Sequence, residues 1–200
     1  RTACFRLPGY QYHRLITLLY YEKAKYEDNA KKYENLEIEW DSPQQPFPYQ
    51  IEAIEGWSKS GKRGLIVLPT GTGKSFVGVM AIAKSAKSTI VLVPTIDLMH
   101  QWYDVLTNYF PKIPVGLIGG GYFEPKPITI ITYDSSYRYL ESLGNKYGLI
   151  IFDECHHLPG QSYKLAAKFA IAPYRLGLSA TPERIDGGHH VFEDLIGRYV

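Results

Sequence analysis

At 200 residues, with 45% hydrophobic and 21% charged side chains, the chain can bury one full core plus an appendage and falls in the ordinary globular range. A formal net charge of +2 demands no polyanionic partner from bulk electrostatics, although a local basic face stays open. Cys4 and Cys155 are the only cysteines, which argues against a disulfide scaffold, and no apolar run approaches the ~20 residues that span a bilayer. A soluble chain of a reducing compartment, cytoplasmic, with no membrane partner, is therefore expected. Because it begins with Arg1, the chain reads as excised from something longer.

Residues from Gln11 to about Lys32 are rich in Tyr, Leu, Lys and Glu and read as one amphipathic helix. Asp41–Tyr49 (DSPQQPFPY) is too dense in proline to continue it, so a boundary is placed there. Residues 1–42 then form a helical arm or the tail of an upstream domain, and residues 43–200 the main domain. Past the boundary, apolar strands are expected at Leu65–Leu68, Thr89–Val93, Val115–Ile118, Ile128–Thr132, Leu149–Phe152 and Tyr174–Leu178. Helices are expected at Lys74–Ala86, Ile96–Tyr109, Ser135–Leu143 and Ser162–Phe169. Near-continuous Ile/Val/Leu strands alternating with helices predict an α/β fold, a mostly parallel sheet covered on both faces.

The run GLIVL leads directly into LPTGTGKS at Leu68–Ser75, and a helix follows. A tight glycine loop between a buried strand and a helix start brings backbone N–H groups close to phosphate oxygens, and the helix N-terminus adds partial positive charge. In that reading Pro69, Thr70, Gly71, Thr72 and Gly73 form a phosphate cradle. Lys74 neutralises the β- and γ-phosphates of ATP, and the Ser75 hydroxyl ligates Mg²⁺. A glycine turn that merely caps a helix is the alternative, and the strand–loop–helix context argues against it. Downstream, YGLIIF places Asp153 and Glu154 at the C-terminal end of a buried strand, the edge where open α/β sheets bind ligands. There Asp153 suits Mg²⁺ and Glu154 suits orienting and deprotonating water, although a solvated acidic pair would look the same in isolation. Zinc at Cys155, His156 and His157, with His189 and His190, is disfavoured because adjacent residues point apart and no spaced ligand pair exists. His156 reads as a sensor and His157 as structural.

LPTGTGKS, VPTIDLMHQW, FDECHH and LGLSATPER stand in the order found in superfamily 2 DNA helicases. The chain resembles XPB-like helicases and the related motor subunits of restriction enzymes over about residues 43–200, the extent of a first RecA-like motor domain. The phosphate loop opens with Leu68 where the usual pattern has glycine, a departure this superfamily accepts. The resemblance implies a P-loop, DExH-box ATP hydrolase that moves on or opens duplex DNA in repair, transcription or restriction, with ATP and Mg²⁺ as cofactors. It makes Gln50 the reader of the adenine edge. Phe47 stands where XPB-like proteins carry arginine, an aromatic face for base stacking. Pro94, Thr95, Gln101 and Trp102 match the motif lining the nucleic-acid groove, and Gly119, Gly120, Thr132 and Tyr133 resemble later strand-contacting motifs. Such contacts fall on phosphates and carry no sequence information. Ser179, Ala180 and Thr181 match the motif coupling nucleotide state to strand movement, with hydroxyls suited to a relay to His156. A simple turn after the strand is the other reading. Arg184 closes that segment, and Arg184-Ile185-Asp186 lacks the central carboxylate of the XPB-like Arg-Glu-Asp element, which separates this chain from XPB-specific strand opening.

A motor of this superfamily closes ATP between two RecA-like domains, the second supplying an arginine finger. No motif of that second domain follows Thr181, so the fragment is expected to bind ATP weakly and to need its other half, with a nuclease or repair partner conceivable. Two competing functions are a non-catalytic nucleotide-binding interaction module, disfavoured by Glu154, and an RNA helicase of the DExH type. A metabolic phosphotransferase would leave the Pro-Thr and Ser-Ala-Thr segments unexplained.

Overall fold

The computed structural model describes residues 6–40, 44–157, 161–181 and 193–200. Within them the apolar runs pair into one sheet in the order β1–β7–β6–β2–β5–β3–β4. The strands are β1 (Arg63–Val67), β2 (Thr89–Val93), β3 (Val115–Gly119), β4 (Tyr122–Phe123), β5 (Ile128–Thr132), β6 (Leu149–Phe152) and β7 (Tyr174–Ser179). Every pairing is parallel except the β3–β4 hairpin at one edge. Its two-residue turn is Gly120-Gly121, with φ of 58° and 95°, values that glycine accepts without strain.

Strands β2, β5 and β6 are buried along their whole length, as two-sided coverage requires. One face packs against α2 (Pro48–Lys59), α3 (Lys74–Ser85) and α4 (Ile96–Tyr109), with Trp57, Val77, Trp102 and Leu106 in its core. The other packs against α5 (Tyr133–Leu143) and α6 (Gln161–Phe169) through Tyr133, Leu140, Ala166 and Ala170. Polar residues collect at the C-terminal ends of the parallel strands, where the strand-to-helix loops carry them.

The N-terminal segment departs from expectation. In place of one helix over 11–32, a 3-10 turn leads into α1 (Tyr12–Tyr21), which has no buried residue. Lys23 takes a left-handed φ of 52°, and the Asp28 carboxylate accepts the N–H groups of Ala30 (3.1 Å) and Lys31 (3.4 Å). Local Asx bonding thus outcompetes a helix that has no apolar face to bury. The chain then runs extended across the N-terminal edge of the sheet: Lys32 N–H donates to Asn145 O, Ser88 N–H to Glu34 O and Leu36 N–H to Ala86 O. Trp40 ends this run stacked on Phe76 (6.3 Å between ring centres) and Tyr109 (6.1 Å).

Helix α2 was hidden in the proline-rich boundary. Pro48 sits at its first helical position, where the missing N–H costs nothing, and Gln50 Oε1 reaches back to accept the Phe47 N–H at 3.0 Å. What reads as a breaker is a helix start.

Candidate ATP site and groove edge

The loop after β1 begins with the Leu68 N–H donating to Ser179 O at 3.0 Å, which joins the phosphate loop to the end of β7. It ends at Gly73, left-handed at φ 78°, and α3 starts at Lys74, with the Phe76 and Val77 N–H groups donating to Gly73 O (3.0 and 3.2 Å) and the N–H groups of Lys74 and Ser75 ahead of them at the helix start. A Cβ at Gly73 would lie 2.7 Å from Gln50 Nε2, so the close approach of α2 requires glycine there. Gln50 is 1% exposed and donates through Nε2 to Thr72 O at 2.9 Å, while the neighbouring Tyr49 hydroxyl donates to the same carbonyl at 2.9 Å. Both polar ends of the Gln50 amide are therefore engaged within the fold, bracing the loop from outside. Tyr49 is a brace the sequence reading passed over, although its place beside Gln50 was a usable signal.

Across the crevice, β6 delivers Asp153 and Glu154. Glu154 adopts φ 47°, an uncommon backbone conformation for a residue with a Cβ, which turns its side chain toward the loop. Its Oε1 lies 3.7 Å from Lys74 Nζ, and Lys74 Nζ also donates to Leu68 O at 3.4 Å. Its Oε2 is buried, 3.4 Å from His156 Nδ1, and makes no hydrogen bond among the described residues. Ser179 Oγ stands 3.5 Å from the same His156 nitrogen and bonds the backbone of Thr181 at both its O (2.9 Å) and N (3.2 Å).

Asp153 is 4% exposed. Burial raises its carboxyl pKa, and the adjacent Glu154 charge adds to this; the hydrogen bond from Trp102 and that from the Glu154 N–H work in the opposite direction. Cys155 is buried beside these carboxylates, and burial first, then the charges of Asp153 and Glu154, push its thiol pKa up, away from the thiolate form.

The donor set fits a magnesium-bound triphosphate. Among the described residues no group of three or more His, Cys, Asp or Glu side chains could hold a metal by itself. Mg²⁺ bound chiefly by phosphate oxygens and water needs only one or two protein oxygens, here those of Asp153 and Ser75. The Lys74 ammonium and Glu154 Oε1 face each other at 3.7 Å, with Oε2 turned to His156, a spacing that suits a phosphate beside its attacking water.

The remaining predicted residues divide. Pro94, Thr95 and Gln101 lie at the C-terminal end of β2 and on α4; Thr95 and Gln101 are exposed, and Thr95 Oγ1 caps α4 by accepting the Leu98 N–H at 3.2 Å. Gly119 and Gly120 belong to the β3–β4 hairpin beside Ile96. Thr132 is 7% exposed and caps α5, its hydroxyl bonded to Ser135. Trp102 and Tyr133 are each 1% exposed. Their expected place along the groove is corrected: both rings point into the core, because α4 and α5 turn those positions toward the sheet. Ala180 and Thr181 follow β7 at the same edge, whereas Arg184, His189 and His190 and the His157 side chain lie outside the described residues.

Residues 44–184 match the family described as type III restriction enzyme, res subunit. The chain belongs to that family. Its 46%-identical relative in Sulfurisphaera tokodaii, a DNA 3'-5' translocase XPB2, aligns over 189 residues, covering 88% of this chain and 43% of the relative. A DNA 3'-5' helicase XPB of Kineococcus radiotolerans is 36% identical over 160 residues, 75% of this chain and 28% of its own length. The chain thus spans less than half of the relatives it matches. Among solved structures, the UvsW helicase of bacteriophage T4 superposes with a TM-score of 0.66 at 20% identity, over 97% of this chain and 78% of that one, which shows a shared fold. The XPB-like resemblance read from four ordered motifs thus holds at the level of the family, and the sheet is that of a RecA-like helicase domain. Among the described residues no helix is long and apolar enough to cross a membrane.

Proposed function

We propose that residues 43–200 form the first RecA-like domain of an ATP-driven duplex-DNA translocase or helicase, with residues 1–42 an arm along its flank. The observation that carries this reading is the meeting of Lys74 and Glu154, 3.7 Å apart across two strand ends, with one Glu154 oxygen buried and unbonded. A carboxylate held beside Lys74 and His156 with an oxygen that lacks a hydrogen bond keeps acceptor capacity, which suits a base that takes a proton from water.

In the reaction Lys74 withdraws charge from the β- and γ-phosphates, and the first-turn amides of α3 bind their oxygens. Ser75 and Asp153 would hold Mg²⁺, which would supply neutralisation of the phosphate charge. Glu154 Oε2 orients a water for in-line attack and accepts its proton. His156, beside both Glu154 and Ser179, links the hydrolytic residue to the Ser179–Thr181 segment. The exposed Phe47 ring offers a face to the base, whereas Gln50, buried with both ends of its amide bonded, braces the phosphate loop instead of reading the adenine edge as expected. Thr95, Gln101, Gly119 and Gly120 border the groove for phosphate contacts, with Arg184 on the segment beyond Thr181. A second RecA-like domain supplies the arginine finger, so the 200-residue chain alone turns over slowly. We infer a role in repair, transcription or restriction, beside a nuclease or repair partner and among nucleoid proteins; the relatives named as a DNA translocase and a DNA helicase support its action on DNA.

The deciding measurement is ATP turnover by the full-length protein with duplex DNA, with duplex RNA and with neither. Stimulation by duplex DNA above the other two supports the reading. A preference for RNA assigns the RNA-helicase alternative, and nucleotide binding with no turnover in any arm assigns the non-catalytic module.

A further inference from the structure

Two buried aromatic side chains, one from each face of the sheet, converge on Asp153. Trp102 lies on α4, next in the chain to the exposed Gln101, and its Nε1–H donates to Asp153 Oδ2 at 2.7 Å. Tyr133 opens α5, directly after the cap residue Thr132, and its hydroxyl donates to the Asp153 backbone O at 2.9 Å. Trp102 belongs to the core on the α2–α4 side and Tyr133 to the core on the α5–α6 side. The end of β6 is therefore gripped from above and below, by the carboxylate and by the backbone. Trp102 also abuts the phosphate-loop helix: a Cβ built on Gly78 of α3 would lie 2.5 Å from the indole ring. In surroundings this dry, a donor removed leaves a buried acceptor unpaired, so each bond constrains position strongly.

Trp102 follows Gln101, which the proposed function assigns to nucleic acid, and Tyr133 follows Thr132, whose hydroxyl lies against Gly119 of the same edge; neither ring is exposed enough to touch a strand itself. We propose that Trp102 and Tyr133 are positioning residues that transmit engagement of a nucleic-acid backbone at α4 and α5 to the Mg²⁺-holding Asp153, which makes nucleotide binding and DNA binding interdependent. Resting on the motor reading, this assigns its coupling to two particular hydrogen bonds. A shift of α4 or α5 on strand engagement moves a packed ring, and the ring moves Asp153 relative to Lys74. Coupling of this kind is reciprocal, so duplex DNA changes Mg²⁺-nucleotide affinity by the same factor as nucleotide changes DNA affinity.

The test uses the full-length protein, a fluorescent ADP analogue with Mg²⁺, and a short DNA duplex. Tyr133→Phe removes one oxygen and keeps the ring. At position 102, 3-benzothienylalanine keeps the shape of the indole and lacks its N–H. The quantity read is the ratio of nucleotide Kd without and with duplex, together with Kd for duplex alone and the melting temperature. In the unsubstituted protein the ratio departs from one by about fivefold or more. In both variants it falls toward one, while affinity for duplex alone and the melting temperature hold. Two variants that keep the original ratio overturn the proposal. So does a loss of nucleotide affinity, duplex affinity and melting temperature together, which marks a merely structural role. Should the position 102 variant fold poorly, Tyr133→Phe decides by itself. Failure of the unsubstituted protein to bind either ligand is a separate outcome, which sinks the motor reading and this inference with it.

Discussion

The two ends of one parallel sheet carry charge in opposite ways. At the C-terminal end, Lys74, Asp153, Glu154 and His156 are drawn together and largely buried, with unlike charges facing. At the N-terminal end, Lys62, Lys87, Lys126 and Lys146 stand just before β1, β2, β5 and β6, exposed or half-buried, and none is paired with a carboxylate among the described residues. Burial lowers the pKa of Lys62, and the like charges of Lys87 and Lys84 lower it further. Lys87 is likewise lowered by burial, then by Lys31. The same backbone edge geometry thus gives a dry, opposed cluster on one side and a wet, like-signed row on the other. Low dielectric and unlike sign make chemistry; water and screening make the row merely tolerable.

The comparison sharpens most at Glu154. Glu154→Gln keeps the shape and removes the base, and turnover should fall by on the order of 10²-fold or more while nucleotide stays bound. A turnover within a factor of three of the unsubstituted protein would show that the opposed cluster is structural. Next comes packing around it. Gly78→Ala places a methyl 2.5 Å from the Trp102 ring, and the resulting strain should cost about 1–3 kcal/mol in denaturant unfolding. An unchanged midpoint would mean that α3 and α4 separate easily. Gln50→Ala removes a buried amide that bonds Thr72 O and the Phe47 N–H, a loss of roughly 1–2 kcal/mol. It should also weaken ATP binding, measured by calorimetry, because the phosphate loop loses its outer brace.

The smallest effect belongs to the lysine row. A lysine whose folded pKa lies below its unfolded value is destabilising while both states are charged; stability rises as pH climbs through the folded pKa, and the penalty is gone above the unfolded one. Lys87→Gln should therefore raise stability at neutral pH and low salt by no more than a few tenths of a kcal/mol, since the groups are mostly exposed. High salt should remove the part of the gain owed to Lys31 and leave the part owed to burial. A gain wholly unchanged by high salt would mean that the like charges of the row contribute nothing.

Much of the site was legible in the sequence because its chemistry is contiguous. Leu68–Ser75 and Phe152–Glu154 each hold a strand end and its functional residues in one short run, so period and glycine spacing located both. The strand at Thr89–Val93 and the helix at Ile96–Tyr109 fell where expected, since uninterrupted β-branched runs and amphipathic spacing have few competing readings. Three features were not legible. Helix α2 was masked by prolines whose meaning depends on whether they sit inside a helix or at its first turn. The long N-terminal helix failed because amphipathic composition cannot say whether an apolar face has anything to pack against. The direction of Trp102 and Tyr133 was lost because each follows a residue expected at the groove, and successive residues of a helix point about 100° apart.

By itself, then, the sequence determined the six parallel strands, the four helices from Lys74 onward and the family, and it named the residues proposed for the crevice, all properties of local runs. Only the tertiary structure decided which buried groups face one another: Glu154 toward Lys74, Gln50 against Thr72, two aromatic donors on Asp153. Those partners lie 20 to 80 residues apart in the chain. Strand order and packing, which no short run encodes, are what bring them within a hydrogen bond.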